Sequence, residues 1–353
     1  MKTAIVHIGA HKTGSTSIQA ALVRTKPDLR DQGILYFNDY NRKVQLLTLG
    51  LKGDQRKKPI LKSKYATLEE AMAASRSTWW GLARTVRKSD SSFTVISEEA
   101  LMRIRTPEKL ARLLNRIFDR VVIVAYVRNP VDRLPSSVDQ KVRQGVNTQA
   151  LTKGKFLVPP FIPKLNLFAE AFGKEAMIVR NFDRRNMVAG SPVSDFSHVL
   201  SVVADREVSL HDAGHVNESL PGSVTSVLLR ENDFRKRNRM QRTRIWVKQR
   251  GELIDELRRC ELLKGGPKLR LEDTPLLAHV QSTHDVDVDR LNSLYLADQM
   301  PISLGGQGLR LAPQEVQPAF RSWIDSYSEP HIDELVAMLR GMVSRPRYPF
   351  SVG

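Results

Sequence analysis

The chain has 353 residues, 41% hydrophobic and 26% charged, the composition of an ordinary soluble globular protein with room for one large domain or two. Its single cysteine, Cys260, excludes internal disulfides and a cysteine-built metal cage, and fits a reducing compartment. A net charge of +17 points to anionic partners, yet no helix-turn-helix, zinc-finger or aromatic-basic RNA signature accompanies it.

No apolar run approaches the roughly 20 residues that span a bilayer, and strand residues begin by Thr3, leaving no room for a signal peptide. The expected location is the cytoplasm. The first element is Ile5-Val6-His7-Ile8, a short buried strand. It breaks into Gly9-Ala10-His11-Lys12-Thr13-Gly14 and resumes as Ser15-Thr16-Ser17-Ile18, with Ile18 and Leu22 four apart on one helix face. Strand, glycine-containing turn and helix N-terminus together build an anion seat. The turn and first-turn N–H groups converge there, and the helix dipole favours negative charge. Lys12 adds a full charge, and Thr13, Ser15, Thr16 and Ser17 add hydroxyls. In a Walker A loop the lysine follows the second glycine. Here Lys12 precedes Gly14, which argues against an ordinary NTPase.

Further along, Gly33–Phe37 has the pattern of a strand, and 67–88 that of a helix in which Trp79-Trp80 belong to core or groove wall. Residues 38–65 carry many cations, among them Arg42, Lys52, Arg56 and Lys62, and serve as a solvated insertion or as a loop holding an acidic acceptor. Phe93–Ser97 is a strand followed by Glu98-Glu99. Thr106 and Pro107 cap and open a helix. Val121–Val127 is an uninterrupted apolar run, as a central parallel strand requires, closed by Arg128. Asn129-Pro130 starts a helix that carries Ser136, eight positions after Arg128. A strand over 176–180 leads to Asn181-Phe182-Asp183, and 193–204 is an amphipathic helix.

Strands and helices thus alternate to about residue 205. The expected fold is α/β: a P-loop-like, mainly parallel sheet with helices on both faces, plus a helical C-terminal extension. The expected division is 1–220 for the core and 221–353 for the extension. Lys12, Glu98 and Arg128 each follow a strand, and ligands in such sheets bind beyond the strands' carboxyl ends. Residues 222–262 read as strongly basic helix. Residues 263–312 give no clear pattern. Helices are expected near 314–327 and 331–343.

Two separated segments carry a resemblance. Lys12-Thr13-Gly14-Ser15-Thr16 resembles the 5′-phosphosulfate loop of sulfotransferases that use 3′-phosphoadenosine 5′-phosphosulfate (PAPS). The run from Val122 to Ser137, with Arg128, Asn129-Pro130 and Ser136, resembles their 3′-phosphate motif. Val179-Arg180-Asn181-Phe182-Asp183 and Val216-Asn217-Glu218-Ser219-Leu220 are similar to later segments of the same superfamily, in its bacterial, carbohydrate-type members. The resemblance covers about residues 1–220. It implies in-line transfer of the sulfuryl group from PAPS to a hydroxyl or amine, with no metal. Carried over by position, Lys12, Thr13, Gly14, Ser15, Thr16 and Ser17 bind the 5′-phosphosulfate, Arg128 and Ser136 the 3′-phosphate, and Phe182 lies near the adenine. Lys12 stabilises charge on the leaving phosphate.

The family's base after the third strand is a histidine or a carboxylate. This chain has no histidine there, so Glu98 is the first choice, Glu99 the second and His11 the third, with His7 structural. A carboxylate base implies a glycan or glycolipid acceptor, held by the basic segments 42–64 and 230–250. Those segments also suit contact with a membrane surface, and no nucleic-acid partner is expected. The alternatives are a nucleotide kinase or NTPase, and a non-catalytic binder of polyanions.

Overall fold

The structure is a computed structural model and describes residues 1–10, 12–37, 44–51, 65–154, 156–212, 220–240, 244–259, 266–306 and 308–328. His11, the cations named in 42–64, Val216–Ser219, Arg242 and the helix expected at 331–343 lie outside the described residues. The N-terminal apolar run forms β1 (Thr3–His7), buried throughout. It is followed by α1 (Ser15–Arg24), β2 (Ile34–Tyr36), α2 (Leu68–Lys88), β3 (Phe93–Ser97) and α3 (Pro107–Leu114). Next come β4 (Arg120–Val127), α4 (Pro130–Arg143), α5 (Ile162–Phe172), β5 (Met177–Asn181) and α6 (Pro192–Ala204). The remaining long helices are α7 (Gly222–Arg237), α8 (Arg244–Arg259), α9 (Pro275–Tyr295) and α10 (Pro313–Asp325).

The strands form one five-stranded sheet in the order β2-β3-β1-β4-β5. Every pairing is parallel. β1 is central, with β3 on one side and β4 on the other. From β1 the chain goes to the edge strand β2, returns inward to β3, and then crosses to β4 and β5 on the other side, so the loops after β1 and β4 flank the point where the winding reverses. On one face Ile5, Val95, Val122, Val124 and Tyr126 pack against Ile18 and Leu22 of α1 and Phe196, Val199 and Leu200 of α6. Residues of opposite parity, Val6, Ile96, Ile123 and Ala125, are buried as well. An apolar run without alternation therefore means a strand covered on both faces.

Two compact units form, and they interleave along the chain. The sheet unit draws on the described residues within 1–129, 160–217 and 286–303, and the helical unit on those within 130–159, 218–285 and from 304 onward. A single boundary at residue 220 does not describe this. The reason lies in packing. α4 follows β4 at once, but its apolar face of Leu134, Val138 and Val142 belongs to a core with Val224, Leu228, Leu253, Phe320 and Trp323. Conversely, Gln299 returns to β5, where its Oε1 accepts from Asn181 N at 3.0 Å and its Nε2 donates to Val179 O at 2.8 Å.

Other expectations shift in detail. The basic stretch 222–262 is two helices, because Asn238 ends α7 and Arg239 takes a left-handed φ of 52°. Thr106 does not cap α3 with its side chain; its hydroxyl donates to Leu51 O at 3.3 Å. Trp80 is 75% exposed and belongs to no core, whereas Trp79 is half-buried and donates to Leu47 O. The Asn129 side chain donates to Ser303 O at 2.7 Å, while Pro130 does take the first helical position.

Candidate functional site

The parallel sheet brings the ends of β1, β3, β4 and β5 to one edge of the sheet unit. β1 and β3 run in register to His7 opposite Ser97, and β4 and β5 to Val127 opposite Asn181. The segments beyond these residues carry Lys12, Glu98-Glu99, Arg128 and Phe182.

The loop after β1 is held by its own backbone. Ile8 N donates to Val124 O at 3.0 Å, and Glu98 N donates to His7 O at 3.0 Å, so the loop base is locked between both neighbouring strands. Gly9 and Gly14 have φ of 49° and 74°, and Lys12 shares the left-handed region at 68°. A Cβ on Gly14 would meet Pro192 Cβ at 2.8 Å and Phe182 Cε2 at 2.9 Å. Only glycine permits that approach of the loop to the segment after β5. Gly14 is also the N-cap of α1 and supplies no side-chain cap, so the first-turn N–H groups face no cap hydroxyl.

The hydroxyls divide by role. Thr13 is fully buried, and its Oγ1 donates to Ala10 O at 2.8 Å and accepts from Ala10 N at 3.2 Å. It closes the loop. Ser15 is buried, and its Oγ has no hydrogen-bond partner within the protein. Thr16 is exposed and Ser17 half-buried on the same turn. A buried hydroxyl without a partner is costly unless something else completes it. At the first turn of a helix, an oxyanion is the group that does so.

Arg128 ties the loop to the far side of the sheet edge. Its Nη1 donates to Lys12 O at 3.2 Å, and its Cζ lies 5.5 Å from the Phe182 ring centroid. Phe182 N in turn donates to Val127 O. One guanidinium is thus held against a carbonyl and an aromatic face, which fixes the orientation of its fork. The adjoining Asp183 is held below the usual carboxylate range, first by hydrogen bonds from Arg185 and further by the charge of Arg128.

Glu98 is 6% exposed, and its Oε1 accepts from Ala100 N at 2.8 Å, capping a short turn at Glu99–Arg103. Its carboxylate is therefore fixed in orientation at the end of β3. Glu99 is half-buried, and its Cβ lies 3.2 Å from where a Gly9 side chain would begin. Both glutamates accordingly sit against the loop end of the edge, as the sequence spacing requires.

Two networks under this edge were not visible in the sequence. His7 is fully buried, its Nδ1 2.8 Å from Ser97 Oγ, with the Tyr126 and Phe196 rings against it. Gln19 of α1 donates to both Ser97 O and Ser97 Oγ at 3.3 Å. Burial pushes the His7 pKa down to about 4. The ring is neutral and structural. The second network centres on Asp195, which accepts from Tyr126 OH at 2.8 Å and from Arg180 Nε at 3.0 Å and Nη2 at 2.5 Å. Burial, then the Asp195 charge, raises the Tyr126 phenol well above its usual range.

Ser136 lies on α4 in the helical unit. It is half-buried, and its Oγ has no hydrogen-bond partner. In the same unit Arg250 of the basic stretch is 4% exposed and donates to Arg143 O and Val142 O, a structural task. Among the described residues no three His, Cys, Asp or Glu side chains gather as a metal site requires. No helix among them is long and apolar enough to cross a membrane.

No family model matches the chain, and no curated protein matches it. Among solved structures, it is similar to a sulfotransferase from Alicyclobacillus acidocaldarius at 14% identity and a TM-score of 0.40, over 69% of this chain and 97% of that one. A likeness at that level carries no weight of its own, and the reading of the site rests on its residues.

Proposed function

We propose that this chain is a sulfotransferase that draws on PAPS and acts on a carbohydrate or glycolipid hydroxyl. The observation that carries the reading is Arg128, anchored on the Lys12 carbonyl and the Phe182 ring at the same sheet edge as the loop. A cation paired with an aromatic face suits a nucleotide bearing phosphate near its base, and the loop suits a second anionic group. The unpartnered Ser15 hydroxyl, the uncapped first turn of α1 and the charge of Lys12 fit an oxyanion at the loop. Ser15, Thr16, Ser17, Lys12 and the loop N–H groups would hold the 5′-phosphosulfate. Arg128 would hold the 3′-phosphate, and Phe182 the adenine. Thr13 supports the loop from within.

When bound, the nucleotide supplies the sulfuryl group. The chain's own residues do the rest. Lys12 and the first-turn N–H groups favour negative charge at the loop, where the departing phosphate needs it. Glu98, oriented by the Ala100 N–H, would take the acceptor's proton, with Glu99 the second candidate. Gln19 and Ser97 hold the end of β3 against α1, and so hold Glu98 relative to the loop.

Calorimetric titration with 3′-phosphoadenosine 5′-phosphate (PAP) tests this. Micromolar binding to the parent, lost in Arg128→Ala and not matched by AMP, is the expected result. Equal binding of PAP, AMP and ATP, with magnesium dependence, would overturn it in favour of a kinase or NTPase.

A further inference from the structure

The adjacent tryptophans of α2 face different surroundings. Trp79 is half-buried and its indole donates to Leu47 O at 3.3 Å, whereas Trp80, 75% exposed, stands on the outward face. The inward face is anchored: Ala71, Ser75, Thr78, Leu82 and Val86 are buried, and Ser75 Oγ donates to Leu46 O at 2.7 Å. Helical spacing sets Arg76 and Arg84 one turn to either side of Trp80, with Arg87 a further turn along, and all three are exposed. No acidic residue lies between Ala71 and Ser89. Among the described residues none of these arginines forms an ion pair and none stacks on the Trp80 ring. The indole also stands clear of its own helix, since a Cβ on the neighbouring Gly81 would meet no atom within 4 Å.

Three guanidiniums without a nearby acid favour an anionic partner. The indole adds a second demand, for a place that is apolar at one end and wet at the other. The headgroup boundary of a bilayer meets both. Tryptophan concentrates there, and each cation near an anionic leaflet strengthens binding about fivefold. Shape separates this partner from other polyanions. Arg76 to Arg87 spans about 16 Å along the outer side of a helix, which is convex. A saccharide site is concave and closes over most of its ligand. A single strand of nucleic acid needs successive stacking platforms, and this face offers one ring. A flat surface meets the whole ridge at once.

We infer that the outward face of α2 docks on the surface of an anionic lipid bilayer, with Trp80 in the headgroup boundary and Arg76, Arg84 and Arg87 against lipid phosphates. The inference stands on α2 and does not depend on sulfuryl transfer. The full chain is mixed with vesicles of phosphatidylcholine and phosphatidylserine, with pure phosphatidylcholine vesicles, with a heparin-derived oligosaccharide and with an oligothymidylate. Cosedimentation gives the affinity for vesicles, and tryptophan emission, with brominated lipid as quencher, gives the contact. Trp246 and Trp323 are buried and Trp79 is half-buried, so a blue shift on binding reports Trp80. One variant is Trp80→Ala and the other combines Arg76→Gln, Arg84→Gln and Arg87→Gln. All four side chains are exposed, and each variant's unfolding midpoint is compared with the parent's.

The expected result is binding to the phosphatidylserine vesicles, with a blue shift and quenching, and none to pure phosphatidylcholine. That binding should weaken about tenfold in Trp80→Ala and at least tenfold in the triple variant, and fall with salt. Binding undiminished in both variants overturns the proposal, because other basic segments then carry the contact. A parent whose emission neither shifts nor is quenched overturns it without recourse to variants. Emission that shifts with the oligosaccharide or the oligothymidylate, and not with vesicles, replaces the bilayer with that polyanion.

Discussion

The Arg128 guanidinium stands 5.5 Å from the centre of the Phe182 ring while donating to the Lys12 carbonyl, so one side chain joins three segments that are distant in sequence. Its value to the site comes from this fixed orientation as much as from charge. Arg128→Ala should weaken PAP binding about 10- to 100-fold, the worth of one or two charge-assisted hydrogen bonds. Arg128→Lys keeps the charge but neither the fork nor the flat stacking, and should recover only part of the loss. Full recovery by lysine, measured by titration calorimetry, would show that charge alone matters there.

Much of this arrangement was legible because it is local. Ile5–Ile8 followed by a glycine-bearing turn, and Val121–Val127 closed by Arg128, are strand and loop signals within a dozen residues, and Phe93–Ser97 has the bounds its β-branched residues indicate. The parallel topology then placed their ends together. What stayed hidden depends on partners far along the chain. Asp195 meets Tyr126 across 69 positions, and Gln19 meets Ser97 across 78. α9 gave no helical signal because buried polar residues interrupt its apolar face. His284 is satisfied by Val158 O and Val280 O, and Gln281 by Leu304 O, and none of these partners can be guessed from spacing. The break within the basic stretch 222–262 is hidden in a similar way, since Asn238 ends its first helix and Arg239, not a glycine or proline, takes the left-handed turn.

Asp195 is the keystone of the sheet face on which α1 and α6 pack. It is fully buried and receives a phenol, a two-pronged guanidinium and Val188 N. Asp195→Asn removes the charge that Arg180 faces and substitutes a donor for one acceptor. The expected loss is about 3–5 kcal/mol of folding stability, as for breaking one side of a buried ion pair. Tyr126→Phe removes one hydrogen bond and leaves the ion pair, so about 1 kcal/mol is expected. Denaturant unfolding of both variants checks the ranking, and equal losses would contradict it.

His7 gives the fold a dependence on acid. Its pKa is about 4 when folded against 6.5 for the free side chain, so the unfolded chain binds the proton more readily. Its contribution is therefore complete above about pH 6.5 and is lost as pH falls toward 4. Relative to a His7→Gln variant, the parent should lose about 2–3 kcal/mol more between pH 7.5 and 4.5. The glutamine can still meet Ser97 but does not titrate. Parallel stability curves for the two proteins over that range would rule out a neutral, buried His7 as the cause.

Lys12 separates strain from function. A left-handed backbone costs a non-glycine residue about 1–2 kcal/mol, and Lys12 adopts it at φ 68°. Glycine at this position relieves the strain but gives up a similar amount through a freer unfolded chain. Lys12→Gly should therefore change stability by no more than about 1 kcal/mol. Its turnover of PAPS in the presence of an acceptor should nonetheless fall about 10²-fold or more, as when a preorganised charge is withdrawn from a transition state. Lys12→Arg, with the charge kept and the strain unchanged, should fall between the two. A stable Lys12→Gly protein with undiminished turnover would mean that the backbone N–H groups of the loop, and not the ammonium, carry the charge stabilisation. A variant that instead lost several kcal/mol would mark Lys12 as a residue of the loop's architecture. The two measurements together decide which link, fold or chemistry, this lysine serves.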